Sequence, residues 1–225
     1  SYTDLIPVGT PYKGMEESGQ LDYIIGTENT DEAEWAIQDD EYDTGYMQSQ
    51  DQDNSFFCCY GTAKGAEASI FTGLIDLRGM ENPGLSFFLF NNYDEEKEIT
   101  NSNVFRVEVM PDGASEWTVL TEKTIEELCN AVHDTWSQCT FSLKDYAGKT
   151  VQLRFTVKTM HFMSTGLDNI RVANLLDHDL KGSDITAPEK VMCGEEYKAV
   201  VKVTNHGILA VSYTHLRAHE TGAYL

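Results

Sequence analysis

Two kinds of residue in this chain have the types and spacing for chemistry. The first is an acidic run, Asp39-Asp40-Glu41-Tyr42-Asp43, followed by Asp51-Gln52-Asp53-Asn54. Calcium takes about six to eight oxygen ligands, and carboxylates and amides on one turn supply several of them. Asp40 is the candidate ligand of this run. The spacing is not that of an EF-hand, which needs Gly at the sixth loop position and Glu at the twelfth. The competing reading is a solvated acidic loop. The second kind is aromatic. Trp35, Tyr42, Tyr46 and Tyr93 lie in polar stretches, where a flat exposed ring stacks on the apolar face of a sugar. Such a module should lose affinity on Trp35→Ala or Tyr46→Ala. Partial burial is the competing reading for each ring. Trp117 and Trp136 lie in strand-like contexts and read as core.

Catalytic signals are weak. His133 and His161 have no Ser or Cys nucleophile beside them in a motif such as G-x-S-x-G. Carboxylates are too numerous for a glycosidase pair to be singled out. There is no glycine-rich phosphate loop. The chain therefore reads as non-catalytic, with any enzymatic activity expected in flanking domains. The five cysteines are Cys58, Cys59, Cys129, Cys139 and Cys193, and none has C-x-x-C spacing. A structural zinc site is poorly supported. Cys129 and Cys139 either close a short loop as a disulfide or stay reduced as small semi-buried residues.

The 225 residues carry a formal net charge of −21, with a sequence pI near 4.4. A hydrophobic content of 41%, with 11% aromatics, is enough for a core. The acidity argues against nucleic acid and against anionic membranes, both of which need a basic surface. It fits a soluble exported protein or a cation binder, and equally a surface kept solvated by charge. No apolar run approaches the length of a membrane-spanning helix. The chain starts at Ser1, so the lack of a visible signal peptide says nothing about export.

The elements that would position these residues are mostly strands. Leu85–Phe90 is an apolar run after the turn Asn82-Pro83-Gly84. Val104–Met110 alternates, with Phe105, Val107 and Val109 on one face, and ends in the turn Pro111-Asp112-Gly113. Trp117–Leu120 then completes a hairpin. Val151–Val157 alternates again, and Leu167–Val172 is a further strand. Ile125, Leu128, Cys129 and Val132 fall at helical spacing, which predicts one short helix over 124–132. A boundary is expected near 174–179. After it, Asp184–Val191 and Glu196–Thr204 begin a new strand pattern.

The order of these motifs, from Ala68–Leu77 through Trp136 and Asp145-Tyr146-Ala147-Gly148-Lys149 to Leu167-Asp168-Asn169-Ile170-Arg171-Val172, resembles the MAM-like jelly-roll family. It is most similar to its bacterial choice-of-anchor and cleaved-adhesin (gingipain-type) branch. The adjacent Cys58 and Cys59 do not reproduce the paired-cysteine pattern of eukaryotic MAM domains, so a cell–cell adhesion role does not carry over. The resemblance implies a calcium bridging the first strand region and the last strand, with Glu16 or Glu17 and Asp168 at the matching positions. For Asp168 the competing role is local, a carboxylate accepting backbone amides at a strand entry. Ala187-Pro188-Glu189-Lys190-Val191 and Val203-Thr204-Asn205-His206-Gly207 resemble the opening of a CARDB-like Ig domain. The run Val211-Ser212-Tyr213-Thr214-His215-Leu216-Arg217-Ala218-His219-Glu220-Thr221 resembles a translated sequencing-library adaptor. Residues 210–225 are accordingly set aside as non-native.

The expectation is an all-β protein: a jelly-roll β-sandwich with one short helix, plus a truncated Ig-like fragment. The segments are 1–9, the end of a preceding module or linker; 10–177, the jelly roll; 178–209, the Ig-like strands; and 210–225, the tail. The expected function is a non-catalytic adhesion or binding module of a secreted or bacterial cell-surface protein. It would bind a glycan or a host extracellular protein beside flanking β-domains, with Ca2+ as a candidate stabilising ion. The alternative is a structural spacer accessory to a peptidase or glycoside hydrolase.

Overall fold

The computed structural model describes residues 5–6, 24–39, 47, 49–50, 55–160, 163–175, 180–186 and 200–205. The chain divides into two compact units, Ser1–Asn174 and Leu175–Leu225. The strands of the first unit are β1 (Leu5–Ile6), β2 (Ile24–Glu28), β3 (Ala33–Asp39), β4 (Ser55–Gly61), β5 (Glu67–Thr72), β6 (Leu74–Asp76) and β7 (Pro83–Phe90). They continue as β8 (Tyr93–Asp94), β9 (Ile99–Thr100), β10 (Val104–Pro111), β11 (Thr118–Thr124), β12 (Trp136–Ser142), β13 (Thr150–Lys158) and β14 (Thr165–Asn174).

They form two sheets and one small hairpin. The first sheet runs β1-β6-β13-β10-β11, with β5 also on β13 and β2 on β5. The second runs β12-β7-β14-β4-β3, and β8 pairs with β9. Alternation explains the pleat. Phe105, Val107 and Val109 of β10 and Val151, Leu153, Phe155 and Val157 of β13 are all fully buried. Phe87 of the second sheet meets Phe105 and Phe155 of the first at ring distances of 5.5 and 5.7 Å. The two sheets therefore pack face to face over one core, which makes the first unit a jelly-roll β-sandwich. The turn at Asp112-Gly113 works because Gly113 takes a positive φ of 81° without penalty.

Two local departures from regularity have side-chain causes. β5 and β6 both pair with β13 and are separated by Gly73 alone. The gap is repaired by side chains: Leu153 N donates to Thr72 Oγ1, and Gln152 Nε2 donates to Thr72 O at 2.7 Å. In β14 the register against β7 shifts between Asp168 and Arg171. The bulge puts Asn169 at φ 50°, which asparagine tolerates better than most residues. It lets Leu167 and Ile170 both face the core, which strict alternation forbids.

The helix is shorter than its spacing suggests. Only Ile125–Leu128 is helical, opened by a capping box between Thr124 and Glu127. Asn130 and Ala131 turn left-handed, at φ 52° and 56°, and end it. Val132, expected on the buried face, is 49% exposed. In the second unit, β15 (Leu180–Thr186) and β16 (Val200–Asn205) form an antiparallel pair. β15 begins four residues before the Asp184 start suggested by sequence, and the stretch from 187 to the expected Val191 end lies outside the described residues. The tail at 210–225 lies outside the described residues.

Candidate binding site

The order β12-β7-β14 dictates where a site can form. These neighbours are antiparallel, so the end of β7 lies beside the starts of β12 and β14. Three loops therefore meet at one end of the second sheet: Asn91-Asn92 after β7, Asp134 before β12, and Met163-Ser164 before β14. The β8–β9 hairpin adds a wall. Together they enclose a groove of about 620 Å³, lined by Asn92, Tyr93, Asp94, Glu95, Glu96, Lys97, Asp134, Met163 and Ser164.

Buried amides hold these loops. Asn92 Nδ2 and Asn101 Nδ2 both donate to Ser164 O, at 3.2 and 3.3 Å. Asn103 Nδ2 donates to Met163 O, and its Oδ1 accepts from Met160 N at 2.7 Å. Asp134 and the start of β8 exchange bonds: Asp134 N donates to Asn91 O, and Tyr93 N donates to Asp134 Oδ1 at 3.1 Å. Asp94 closes its own turn by accepting from Lys97 N and Lys97 Nζ. The Lys97 hydrogen bond holds the Asp94 carboxyl below the usual range.

Tyr93 is half-buried, and its ring stacks on the His133 imidazole with centroids 4.5 Å apart and planes 6° apart. His133 is in turn fixed by donating from Nε2 to Glu126, 3.0 Å from each carboxylate oxygen. Asn91 Nδ2 donates to the same carboxylate at 2.9 Å. Burial would raise the Glu126 pKa, but the bonds from Asn91 and His133 outweigh it and the pKa is lowered. The groove thus holds a rigid aromatic platform surrounded by carboxylate, amide and hydroxyl groups.

Of the residues singled out from sequence, Tyr93 is in this groove. Trp35 is not a platform: it lies in β3, is 4% exposed, and donates from Nε1 to Ala68 O of the opposite sheet at 3.1 Å. Its polar neighbours point outward while the ring points into the core. Asp168 sits at the β14 bulge with 0% exposure. Its Oδ2 accepts from Gln50 N at 2.7 Å and its Oδ1 from Asn169 N at 2.8 Å. Glu16, Glu17, Asp40, Tyr42 and Tyr46 lie outside the described residues. Among the described residues, no three His, Cys, Asp or Glu side chains gather as a metal-holding group.

Trp117 and Trp136 are half-buried rather than core. Trp136 packs edge-on to Phe56 and Phe90 in a small cluster separate from the main core. Trp117 lies under the Arg154 guanidinium, 4.5 Å from the ring centre, while Arg154 holds Glu108 through two bonds of 2.7 and 2.9 Å. Cys58, Cys59, Cys129 and Cys139 are free and buried. Burial pushes the Cys58 and Cys129 thiols up to about 11 and the Cys139 thiol up to about 12, so none is a thiolate at neutral pH.

The fold and groove define a β-sandwich with a loop-end cleft. No protein-family model matches the chain, and no curated protein matches it. Solved structures resemble it in fold. A cleaved adhesin domain of Lys-gingipain from Porphyromonas gingivalis is 18% identical, covering 66% of this chain and 97% of its own, at a TM-score of 0.43. A carbohydrate-binding module of the β-sandwich superfamily is 16% identical, covering 74% of this chain and 63% of its own, at 0.48. A family 11 carbohydrate-binding module from Clostridium thermocellum, in complex with a mixed-linked tetrasaccharide, is 12% identical, covering 75% and 98%, at 0.45. At such scores the functional reading rests on this chain's own geometry. No helix among the described residues is long and apolar enough to cross a membrane.

Proposed function

We propose that this chain is a non-catalytic binding module of a secreted or cell-surface protein and that it holds a glycan in the groove at the end of the second sheet. The observation that carries this reading is the Tyr93–His133 stack in a groove lined by Asn92, Asp94, Asp134 and Ser164. A sugar presents an apolar face to a ring and hydroxyls to the polar groups around it. The test is glycan-array binding of the full chain. Tyr93→Ala is expected to lose roughly tenfold or more in affinity, since a central aromatic anchor is worth about 1–2 kcal/mol. The melting temperature should hardly change, because Tyr93 lies outside the core cluster. A blank array on folded protein, or a Tyr93→Ala variant that binds normally, refutes the assignment.

Calcium stabilisation is part of the same proposal. Asp168 would supply one carboxylate from the β14 bulge, where Oδ2 accepts from Gln50 N and Oδ1 from Asn169 N. Glu16, Glu17 and Asp40 would supply the others. Calcium at a hundredfold excess over its dissociation constant adds about 2.7 kcal/mol to the native state. The melting temperature in calcium should exceed that in chelator by several degrees, and superimposable melts would sink this part.

A further inference from the structure

We propose that the groove beside Tyr93 selects a glycan carrying a free amine, a hexosamine in its ammonium form. The inference rests on the glycan reading above and narrows it. The cavity and the aromatic pair make the site; its charges and hydrogen-bonding capacity choose the ligand. Four carboxylates, Asp94, Glu95, Glu96 and Asp134, line the groove against a single lysine. That lysine is already committed, since Lys97 Nζ lies 2.8 Å from Asp94 Oδ2.

The groove is also rich in acceptors and poor in donors. Asn92 spends one amide N–H on Ser164 O, which leaves the groove one donor fewer. Asp134 uses one oxygen on Tyr93 N. Glu95 and Glu96 are exposed carboxylates without an ion pair among the described residues. A ligand here must bring donors and is favoured if it brings positive charge. An ammonium beside Tyr93 also gains from the negative face of the ring. Uronates and sulfated sugars bring acceptors and negative charge, and meet no free cation among the lining residues. A neutral sugar meets no repulsion but leaves the carboxylates uncompensated.

The test is calorimetric titration of the full chain with tetramers of glucosamine, N-acetylglucosamine, glucose and a uronic acid, and with a tetralysine peptide. Glucosamine is expected to bind roughly tenfold tighter than its N-acetylated counterpart, the size of one cation–π contact plus one exposed ion pair. The preference should shrink as salt rises. Asp134→Asn keeps an acceptor for Tyr93 N and removes only charge, so it should narrow the gap between the two amino sugars. A Glu95→Gln/Glu96→Gln double variant should do the same without touching the β8 backbone. Tyr93→Ala should weaken binding of every sugar by roughly tenfold or more.

Equal affinity for the four sugars, or tightest binding of the uronate, with loss on Tyr93→Ala, overturns the amine preference and leaves the glycan reading standing. Glucosamine binding that survives Tyr93→Ala and both charge variants is bulk attraction to an acidic protein, and overturns the inference. Tetralysine binding tighter than glucosamine makes the groove a peptide site and overturns it as well. If no sugar binds, the glycan reading falls and takes the inference with it.

Discussion

Trp35→Ala is expected to cost the first unit about 3–5 kcal/mol, the range for emptying a buried tryptophan site. Two contributions add. The ring fills the core at 4% exposure and meets Phe57 edge-on at 6.5 Å. Its Nε1 also donates to Ala68 O, and Ala68 belongs to β5 of the facing sheet. The side chain is thus a staple between the two sheets, and its removal leaves a buried carbonyl without that donor. Domains are stable by only about 5–15 kcal/mol, so the loss is a large fraction of the total. At this size each kcal/mol shifts the melt by about 2–4 °C, so a drop of about 10 °C is expected. Trp35→Phe should fall between, keeping ring contact but not the N–H. The measurement is a pair of urea and thermal melts. A loss below about 1 kcal/mol for the alanine variant contradicts the staple, and any fall in glycan affinity should track the unfolded fraction rather than reveal a contact.

The same residue shows what the sequence could convey. Strands were readable wherever alternation was unbroken: Phe105, Val107 and Val109 in β10, and Val151 to Val157 in β13, face the core as their spacing indicates. Trp35 was misplaced because its neighbours Asp31, Glu32 and Glu34 make the stretch look like a polar loop. An edge strand has that composition too: Glu34 faces outward, while Asn29 satisfies the unpaired backbone of Trp35 from the side. The helix end and the β14 bulge were hidden for one common reason. Both depend on left-handed residues, Asn130, Ala131 and Asn169, which the spacing of apolar residues does not mark. The groove was only partly legible. Tyr93 stood out, but Asp134 and Ser164 reach the groove from the loops before two other strands, and His133 backs the Tyr93 ring. The pairing order β12-β7-β14 brings them together, and one sequence does not encode that order locally. The local signal available was Asn91-Asn92-Tyr93-Asp94 directly after an apolar strand, a change of composition that marks a strand end with polar work to do.

Asp168→Ala is expected to remove about 2–4 kcal/mol and to act on two functions at once. The carboxylate is fully buried on the face of β14 opposite Leu167, and it ties the bulge to a distant segment. Hydrogen bonds to a charged acceptor are worth about 1.5–3 kcal/mol, more than neutral ones, and here two backbone donors, Gln50 N and Asn169 N, lose it together. Asn169 Nδ2 also donates to Gln50 Oε1, so the bulge holds Gln50 by both its backbone N–H and its side chain. Met47, three residues before Gln50, packs with Phe56, Cys58 and Phe90. Losing the carboxylate should therefore expose the Met47–Gln50 stretch to proteolysis before global unfolding, which a limited-digestion time course reads directly. Asp168→Asn keeps one oxygen acceptor and should cost about half as much by the same reasoning. The two variants also separate the roles argued for this residue. If Asp168 only ties the segment down, each variant loses the same stability in calcium and in chelator. If it also ligates calcium, the difference between those two melts vanishes in both variants, because neither retains the charge that a divalent cation needs.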